Sequence, residues 1–439
     1  MTKNLLSEFG LKDEKLANNY ISDYETFQNK ELLDKLRSKI IEDLIDNNVS
    51  DNSNSEFIRN QIDKTLVGYD LSNIERSYIY NLIDNEINGY GPITDLLNDK
   101  SITEIMVNSP NEIYVEIDGR LVLDHTISFI NDDHIIRTIQ RMIQPLGRTI
   151  DTTNPMVDAR LKDGSRLNAV IPPLAIKGPF LTIRKFKDEL ANVEDLLRNG
   201  TMTSEMARFL EACVREKFNV IISGGTGSGK TTLLNVLSSF VGENERIITI
   251  EDAAELKLKQ NHVISLETRL TNYEGTGEVT IRDLVKNSLR MRPDRIIVGE
   301  VRGKEAFDML QAMNTGHTGS LTTMHANSPS DALNRLESMI MMAGFEIPVK
   351  AIREYIEKAI NIIVHIERLS DGRRKIVNIS EVTGFNDDII ETKEIFTFKQ
   401  TGILSSGGIE GEFVKHRYIP KVYKTLKIRG INDLDDIFE

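Results

Sequence analysis

The stretch FNVIISGGTGSGKTTLL, residues 218–234, constrains the fold of this chain more than any other. It opens with the apolar, β-branched run Val220–Ile222, which is typical of a short buried strand. Four glycines follow within six residues, and an amphipathic helical pattern resumes at Thr231. Residues 224–231 fit the pattern G-x-x-x-x-G-K-[ST], a phosphate-binding loop. The pattern therefore predicts a strand, a loop that binds a nucleoside triphosphate, and a helix in direct succession.

Each residue type in the loop has a physical reason to be there. Glycines allow the backbone N–H groups to converge on a polyphosphate, and the following helix adds the positive end of its dipole. Lys230 can neutralise the β- and γ-phosphates, and the Thr231 hydroxyl can coordinate Mg²⁺. We therefore expect ATP and Mg²⁺ as cofactors. The predicted nucleotide contacts are Gly224, Gly225, Thr226, Gly227, Ser228, Gly229, Lys230, Thr231 and Thr232.

Length and composition limit the remaining possibilities. A chain of 439 residues is expected to form two or three domains, and 40% hydrophobic with 28% charged residues is typical of a soluble protein. The net charge of −13 argues against a large nucleic-acid surface, so no nucleic-acid partner is expected. The single cysteine, Cys213, excludes an intrachain disulfide and is interpreted as a buried apolar residue. Without a signal peptide or an apolar run approaching eighteen residues, we expect a cytoplasmic protein that meets the membrane only through a partner.

The region before the phosphate-binding loop is predicted to form two parts. Residues 1–70 are interpreted as an accessory helical region, with apolar residues at helical spacing from Leu32 to Ile45 and a polar linker at 47–56. Residues 71–190 are interpreted as a mixed α/β domain. Its predicted elements are a helix from Ser72 to Asn88, a hairpin over Glu112–Asp124 that turns at Asp118-Gly119, a helix from His134 to Leu146, and β segments around Arg160, Arg166, Ala169–Ile171 and Phe180–Arg184.

Residues 191–439 are predicted to form the nucleotide-binding domain. Apolar strands alternate with helices there, which indicates a mostly parallel sheet with helices on both faces. The predicted strands are Val220–Ser223, Arg246–Ile250, Arg295–Val298 and Ser320–Met324, and the predicted helices cover 231–241, 281–290, 304–315 and 330–343. Ser328 is the expected N-cap of the last of these helices, and Gly344 follows its end. Beyond Ile376 we expect short terminal hairpins.

Acidic residues at strand ends are the candidates for metal binding and water activation. Glu300 follows the strand that begins at Arg295, and Gly299 stands where many P-loop proteins place an aspartate associated with Mg²⁺. Glu300 is therefore expected to polarise water or to hold a metal-bound water. Glu251 ends another strand, at the same carboxyl edge of the sheet as the loop. Thr231, Glu251 and Glu300 are thus the predicted metal residues, although either acid could instead be an ordinary solvated strand-end residue.

Histidines and arginines complete the set of candidates. His317 and His325 lie eight residues apart with no further His/Cys cluster, so a zinc site is not expected. A neutral imidazole near the γ-phosphate can sense it by hydrogen bonding, but either residue could be an ordinary strand-end histidine. Arginines lie both before the core and within it, and composition alone does not choose among them. They include Arg160, Arg166, Arg184, Arg282, Arg290, Arg292 and Arg302.

Five ordered motifs connect these residues to a known family. The segments DARLKDGSRLNAVIPP, ITIEDAAEL, HVISLETR, MRPDRIIVGEVRG and LQAMNTGHTGSLTTMHANSP resemble those of the type II/type IV secretion ATPases. The similarity is greatest to the CpaF branch, which serves Tad/Flp pilus assembly. It begins near Ser72, and residues 1–70 match only loosely.

The resemblance implies a RecA-like P-loop core and a hexameric ring of two-domain subunits, with ATP between the domains. It also implies the catalytic residues: Lys230 in the Walker A loop, Glu251 in the Asp box, Glu300 in the Walker B box, His317 and His325 in the His box, and Arg160, Arg166 and Arg184 from the preceding domain. In this family, hydrolysis drives an inner-membrane platform protein that adds or extracts pilins, so pilin meets the motor only indirectly. The motor would lie peripherally at the inner face of the cell membrane.

Three other functions compete with this interpretation. The first is an ATPase of a type IV secretion system that exports protein or DNA. The second is a nucleic-acid motor, because helicases share the RecA-like core, although the acidic balance disfavours it. The third is a nucleotide-dependent scaffold that does not hydrolyse ATP, for which Glu300 would be dispensable.

Overall fold

The chain divides into two compact units, Met1–Asp188 and Glu189–Glu439. The structure, a computed structural model, describes residues 32–33, 35–37, 39–40, 55–117, 119–186, 191–269, 276–344, 346–386, 389–404 and 407–439. The α/β fold class is confirmed: a helical N-terminal region and a mixed α/β part precede a large, mostly parallel sheet. None of the helices in these ranges combines the length and apolar character needed to cross a membrane.

The described helices of the first unit include the two that the sequence predicted, near Ser72–Asn88 and His134–Leu146, and two that it did not. They are α1 Ser55–Thr65, α2 Asn73–Ile87, α3 Thr94–Asn98 and α4 Asp132–Ile143, with 3₁₀ turns at Gly91–Ile93 and Gln144–Leu146. Helix α2 begins at a capping box, in which the Ser72 side chain accepts from Glu75 N and the Glu75 carboxylate accepts from Ser72 N. The helix predicted from Ser72 to Asn88 is therefore confirmed, because both residues form its caps.

Apolar packing runs across the predicted boundary at residue 70. Residues 32–33, 35–37 and 39–40 are helical, and their apolar side chains share one core with α1 and α2. The buried members of this core are Leu33, Leu36, Ile40, Ile62, Leu66, Ile79 and Ile83. Arg37 donates to Ser128 O at 3.1 Å and forms an ion pair with the buried carboxylate of Glu86. Among the described residues, one apolar core therefore continues across residue 70.

The predicted linker at 47–56 needs one correction. Ser55 and Glu56 belong to the first turn of α1 and are helical. Residues 47–54, together with Ile41, Leu44 and Ile45 of the predicted amphipathic helix, lie outside the described residues.

A six-stranded antiparallel sheet completes the first unit. Its strands are β1 Ile102–Ser109, β2 Glu112–Ile117, β3 Arg120–Asp124, β4 Met156–Arg160, β5 Arg166–Val170 and β6 Phe180–Arg184, in the order β3-β2-β1-β6-β5-β4. The β2–β3 hairpin confirms the prediction, whereas β1 was not predicted. Helix α4 packs on one face, where Ile135 and Ile139 join a core with Ile105, Val107 and Ile183. Residues that alternate with these in the strands face away from that core.

The second unit is built on a nine-stranded sheet. Its strands are β7 Val220–Gly224, β8 Ile247–Glu251, β9 Val263–Glu267, β10 Arg295–Val298, β11 Leu321–His325, β12 Ile362–Arg368, β13 Arg374–Asn386, β14 Ile389–Ile403 and β15 Ile409–Lys415. The order is β15-β14-β13-β12-β7-β11-β10-β8-β9. Pairing is parallel from β12 to β9 and antiparallel from β12 to β15.

Helices cover both faces of the parallel part. They are α5 Val193–Arg198, α6 Ser204–Arg215, α7 Lys230–Ser238, α8 Ile281–Ser288, α9 Glu305–Asn314, α10 Pro329–Met342, α11 Val349–Ala359, α12 Lys421–Ile428 and α13 Asp435–Phe438. Val220 and Ile222 of β7 join the core that contains α6 and α7, whereas Ile221 joins the core on the other face with α10 and α11. Cys213 is fully buried on α6, as expected.

Predicted and observed elements differ in extent and number. The four predicted helices are found with ends shifted by up to three residues, and Ser328 caps α10 as expected. Strands β9 and β12 and helices α5, α11, α12 and α13 were not predicted, whereas α6 covers the helical pattern around Cys213. The expectation of short terminal segments was wrong, because β13 and β14 contain 13 and 15 residues. They form antiparallel hairpins, but as an extension of the main sheet.

A buried ion pair holds the amino edge of the parallel sheet. Arg295, at the start of β10, is fully buried, and its Nε and Nη2 donate to the two oxygens of Glu245 at 2.8 and 3.0 Å. Its Nη1 donates to Gly319 O at 3.1 Å, and a Cβ on Gly319 would lie 2.0 Å from that nitrogen. Burial opposes ionisation of Glu245, but hydrogen bonds and charge from Arg295 and Lys217 prevail and lower its pKa to about 2.

We expect Arg295→Met to lower the melting temperature markedly, because it leaves Glu245 without its main partner inside the protein. Removing one member of a buried pair costs about 3 kcal/mol or more, which corresponds to a fall of roughly 6–12 °C in a domain of this size. Because the chain has no tryptophan, circular dichroism is the suitable measurement. The matched control is Arg290→Met, whose exposed guanidinium bonds to Lys286 O and Asn287 Oδ1 at the end of its own helix. Equal melting temperatures for the two variants would contradict the assigned role.

Candidate nucleotide-binding site

The phosphate-binding loop lies between the central strand β7 and helix α7. All five residues of β7 are buried, and the strand pairs with β11 on one side and β12 on the other. Gly229 is the N-cap of α7, and its φ of +98° is a conformation that glycine adopts without strain. Gly227 also has a positive φ, +67°. The loop therefore opens at the carboxyl edge of the sheet, where ligands bind in open α/β folds.

Close packing explains why the loop begins with glycine. A Cβ on Gly224 would lie 2.2 Å from the backbone oxygen of Ile366 in β12 and 2.7 Å from Ser228 Oγ. Ser228 Oγ in turn donates to Gly225 O at 2.9 Å. No side chain fits at position 224 unless the backbone of the neighbouring strand moves.

The residues predicted to contact nucleotide form the loop and the first turn of α7. Lys230 is buried, and its Nζ donates to Gly224 O at 3.1 Å and to Gly225 O at 2.8 Å. Gly225 and Thr226 are exposed at the rim. Thr231 is half-buried and Thr232 exposed in the first turn of α7. The ammonium group thus lies inside the curve of the loop, where it can meet a bound phosphate.

Glu300 lies at the same edge, two strands from the loop. It follows β10, and its side chain is 17% exposed. Arg302 holds one carboxylate oxygen, Oε2, through Nε at 2.8 Å and through Nη2. The other oxygen, Oε1, lies 2.9 Å from His325 Nε2, but the angles do not make a hydrogen bond. Oε1 is therefore a buried carboxylate oxygen that accepts no hydrogen bond.

His325 is brought to the loop by strand pairing. It ends β11 and is paired in register with Gly224, the last residue of β7. Burial lowers the pKa of His325, and the nearby positive charge of Lys230 lowers it further, whereas Glu300 acts in the opposite direction. The lowered pKa favours the neutral imidazole, in which one ring nitrogen donates a hydrogen bond and the other accepts one, according to the tautomer.

Glu251 is at the predicted edge but is engaged in a different way. Its side chain is buried, and its carboxylate accepts from the backbone N–H groups of Glu255 and Leu256 at 3.0 and 3.1 Å. It thereby holds the loop that follows β8. A Cβ on Gly299 would lie 2.8 Å from Glu251 Cγ, so Glu251 occupies the space that an aspartate at position 299 would need. The glycine in this strand end is a steric consequence of Glu251.

The structure does not bring His317 to this site. His317 precedes Leu321, the first residue of β11, so it lies at the amino edge of the sheet, whereas the loop lies at the carboxyl edge. Its backbone N–H donates to Ala312 O at 3.2 Å, at the end of α9. The direction of β11 could have indicated this placement from the sequence. Within one unit, only His325 of the two histidines lies beside the loop.

The residues present fit a magnesium ion held mainly by phosphate and water. Among the described residues, no group of three or more His, Cys, Asp or Glu side chains could hold a metal ion. Mg²⁺ usually keeps several waters and takes one or two protein oxygens together with substrate phosphates. Glu300 Oε1, buried and without a hydrogen bond, and the Thr231 hydroxyl, next to Lys230, are oxygens of this kind.

The three predicted arginines of the first unit form one row. Arg160 is paired in register with Arg166, and Arg166 with Arg184, across the adjacent strands β4, β5 and β6. In β5 and β6 the alternate residues, including Leu167 and Ile183, are buried in the core, so the arginines lie on the opposite face. Like charges directly opposite one another destabilise a sheet, and Glu104, paired in register with Arg184 on β1, offsets part of that repulsion.

Sequence reasoning missed the residues that β12 contributes. Ser223 Oγ and His365 Nδ1 are 2.8 Å apart beneath the loop, and burial lowers the pKa of His365. Arg368 and Arg374 lie against the loop from the turn between β12 and β13. The pairing of β12 with β7 joins residues far apart in the chain, so no local pattern could reveal these contacts.

Comparison with known proteins gives the family. Residues 86–403 match the family described as Type II/IV secretion system protein. The conjugal transfer protein TrbB of Rhizobium radiobacter is 32% identical over 302 residues, covering 68% of this chain and 88% of that protein. The type IV secretion system protein PtlH of Bordetella pertussis (strain Tohama I / ATCC BAA-589 / NCTC 13251) is 35% identical over 319 residues, covering 64% of this chain and 91% of that protein.

Among solved structures, the VirB11 ATPase from the Brucella suis type IV secretion system, in complex with sulphate, is 27% identical, with a TM-score of 0.37, over 66% of this chain and 95% of that one. The family match covers most of this chain and includes the loop, Glu300 and His325. The chain therefore belongs to the Type II/IV secretion system protein family.

Proposed function

We propose that this chain is an ATP-hydrolysing motor subunit that powers assembly of a Tad/Flp-type pilus through an inner-membrane platform protein. The observation that carries the hydrolytic part is Glu300, whose Oε1 is buried without a hydrogen bond beside His325 at the edge that holds the loop. An anchored carboxylate with one oxygen that accepts no hydrogen bond from the described residues suits the task of orienting a water molecule toward a phosphate.

The proposed roles follow from the contacts. Lys230 and the loop N–H groups bind the polyphosphate, and Glu300 accepts a hydrogen bond from the attacking water. Arg302 is a positioning residue, because it holds Oε2 and so fixes the direction of Oε1. His325, neutral and adjacent to Glu300, can hydrogen-bond to the terminal phosphate and report its presence.

Mg²⁺ would be held by Thr231 and, through water, by Glu300. Bound there, the metal would neutralise charge on the phosphate oxygens. Glu251 remains a candidate metal residue in this proposal, but its bonds to the loop after β8 favour a positioning role.

The arginine row supports an assembled motor. A guanidinium that meets the transferred phosphoryl group can be worth about 10³–10⁵ in rate, and Arg160, Arg166 and Arg184 present three of them on one rigid sheet. We propose that these residues reach nucleotide in a homo-oligomeric ring, with a hexamer as the expected form. The motor would work at the inner face of the cell membrane, contact pilin only through the platform protein, and bind no nucleic acid.

A second candidate function is favoured by the names of the relatives. Both relatives described above are named for conjugal transfer or type IV secretion. The same site chemistry would serve a motor that exports protein or DNA. The resemblance of the motifs to the CpaF branch is what supports the pilus as the first candidate.

Lys230→Ala and Glu300→Gln are expected to separate binding from hydrolysis. Lys230→Ala removes the cation inside the loop, so both ATP affinity and turnover should be lost. Glu300→Gln keeps the shape of the side chain but weakens its ability to accept from water, so ATP should remain bound while turnover falls by roughly 10²-fold or more. Isothermal titration and a phosphate-release assay measure the two quantities.

The control for the acid is Glu251→Gln, measured in the same assays with a thermal melt. We expect this variant to lose stability, because the amide accepts more weakly from the loop N–H groups. If Glu300→Gln turned over ATP at the wild-type rate while Glu251→Gln did not, the catalytic acid would be Glu251. A chain with neither binding nor turnover would refute the proposed activity.

Alanine at Arg166 or Arg184 is expected to reduce turnover far more than ATP affinity, because their charge matters most in the transition state. Arg120→Ala is the matched control, since it starts β3 at the other edge of the same sheet. Mixing an arginine variant with Lys230→Ala subunits tests whether the contact crosses a subunit boundary. Partial recovery of turnover indicates a contact between subunits, whereas none indicates a contact within one subunit. Wild-type turnover in Arg160→Ala, Arg166→Ala and Arg184→Ala alike would remove the row from the mechanism.

The partner distinguishes the two candidate functions. We expect the full chain to bind a multi-spanning platform protein of a pilus system, and its ATP turnover to rise when that protein is added in detergent. Size-exclusion chromatography and the phosphate-release assay measure these effects, with the Glu300→Gln variant as a control for turnover. Stimulation by components of a type IV secretion channel, and none by the platform protein, would favour the second candidate.

A further inference from the structure

A hairpin outside the sequence motifs lies along the phosphate-binding loop. It is formed by the end of β12 and the start of β13 and reads RLSDGRR, residues 368–374. The turn is closed by a bond from Leu369 N to Arg373 O at 2.8 Å, and Gly372 has a φ of +87°. Because β12 pairs directly with β7, this turn is held beside the loop that follows β7.

Distances measured from a Cβ placed on three loop glycines show how close the hairpin lies to the loop. The Ile366 backbone excludes any Cβ at Gly224, as described above. A Cβ on Gly229 would lie 3.0 Å from Arg374 Cδ, and Arg374 Nε donates to Gly227 O at 3.1 Å. A Cβ on Gly227 would lie 4.0 Å from Arg368 Nη1. Two guanidinium groups are thus placed at the loop itself.

The two arginines are also opposed to each other. Arg368 and Arg374 are a direct pair in the β12–β13 register, and both residues are exposed. Two positive charges directly opposite on neighbouring strands repel one another, and a polyanion bound near both would offset that repulsion by attracting each of them. Arg373, next in the chain, is turned elsewhere, because its guanidinium bonds to Asp371 Oδ2 at 2.7 Å and to the Ile409 carbonyl.

We propose that Arg368 and Arg374 are binding residues for the polyphosphate of the nucleotide, delivered to the loop by the β12–β13 hairpin. The inference rests on the proposed function and adds a second source of positive charge to Lys230. The two arginines approach from the β12 side of β7, whereas His325 and Glu300 lie on the β11 side. The arginines therefore contribute to ground-state affinity, and the hydrolytic residues act from the other side.

The test uses the full chain and four single variants. Arg368→Gln and Arg374→Gln remove one charge each, Arg374→Lys keeps the charge, and Arg373→Gln is the matched control on the same turn. The dissociation constants of ATP, ADP and inorganic tripolyphosphate are measured at low and high ionic strength, with kcat and a thermal melt for each variant. Adenosine serves as the ligand without phosphate.

We expect Arg368→Gln and Arg374→Gln to weaken ATP and tripolyphosphate binding by roughly tenfold each at low salt, as for the loss of one charge-assisted contact. The difference from wild type should shrink at high salt, and kcat should change much less than affinity. Arg374→Lys should retain most of the affinity. Arg373→Gln and the binding of adenosine should be unaffected.

Several results would overturn this inference. Unchanged ATP affinity in both glutamine variants would do so, as would an equal loss in Arg373→Gln. A loss of affinity that does not depend on ionic strength, that affects adenosine equally or that persists in Arg374→Lys would indicate that the arginines support the loop structurally. The proposed function fails in a distinguishable way, because then the wild-type chain would bind ATP no better than Lys230→Ala.

Discussion

The close contact between Gly224 and the backbone of β12 is the constraint on which the site depends. The missing side chain lets the carbonyl of Ile366 pack where a Cβ would stand, so the start of the phosphate-binding loop is held against a neighbouring strand. Strand β7 is buried along its whole length between β11 and β12. The loop therefore emerges from a buried strand paired on both sides, and the glycine-rich segment has a defined starting point.

The strand order places different functional groups on the two sides of the loop. On one side, β11 and β10 end in His325 and Glu300, and Arg302 fixes the orientation of the carboxylate. On the other side, β12 leads into a hairpin with arginines. Burial and the charge of Lys230 lower the pKa of His325, so the imidazole adds no positive charge near neutral pH. The site consequently combines strong positive potential at the loop with a neutral donor beside the acid.

Local patterns predicted the parts of the structure that local interactions determine. The loop, the helix starting at the Ser72 capping box, the hairpin at Glu112–Asp124 and the cap at Ser328 all depend on residues within a few positions of each other. Strand β1 was missed because Thr103, Glu104 and Asn108 interrupt its apolar run. The edge strand β9 was missed because it is only half-buried and its apolar pattern is weak.

Local sequence patterns could not predict which strands pair when they are far apart in the chain. The position of β12 beside β7, and with it Arg368, Arg374 and His365, depends on contacts between residues more than a hundred positions apart. The sequence motif also grouped His317 with His325. Strand β11 separates the two residues, so they lie at opposite edges of the sheet. The acid at position 251 was predicted at the correct edge, and its bonds to the following loop became visible only in three dimensions.

The contact between Glu251 and Gly299 makes two distant positions depend on each other during evolution. With glutamate at 251, its Cγ would lie 2.8 Å from any Cβ at 299, so the aspartate common in other P-loop proteins fits there only if the Glu251 side chain shifts. Such a shift, or a shorter residue at 251, would weaken the bonds that Glu251 accepts from the backbone N–H groups of the next loop. A substitution at one of the two positions therefore changes which side chains the other position can accommodate.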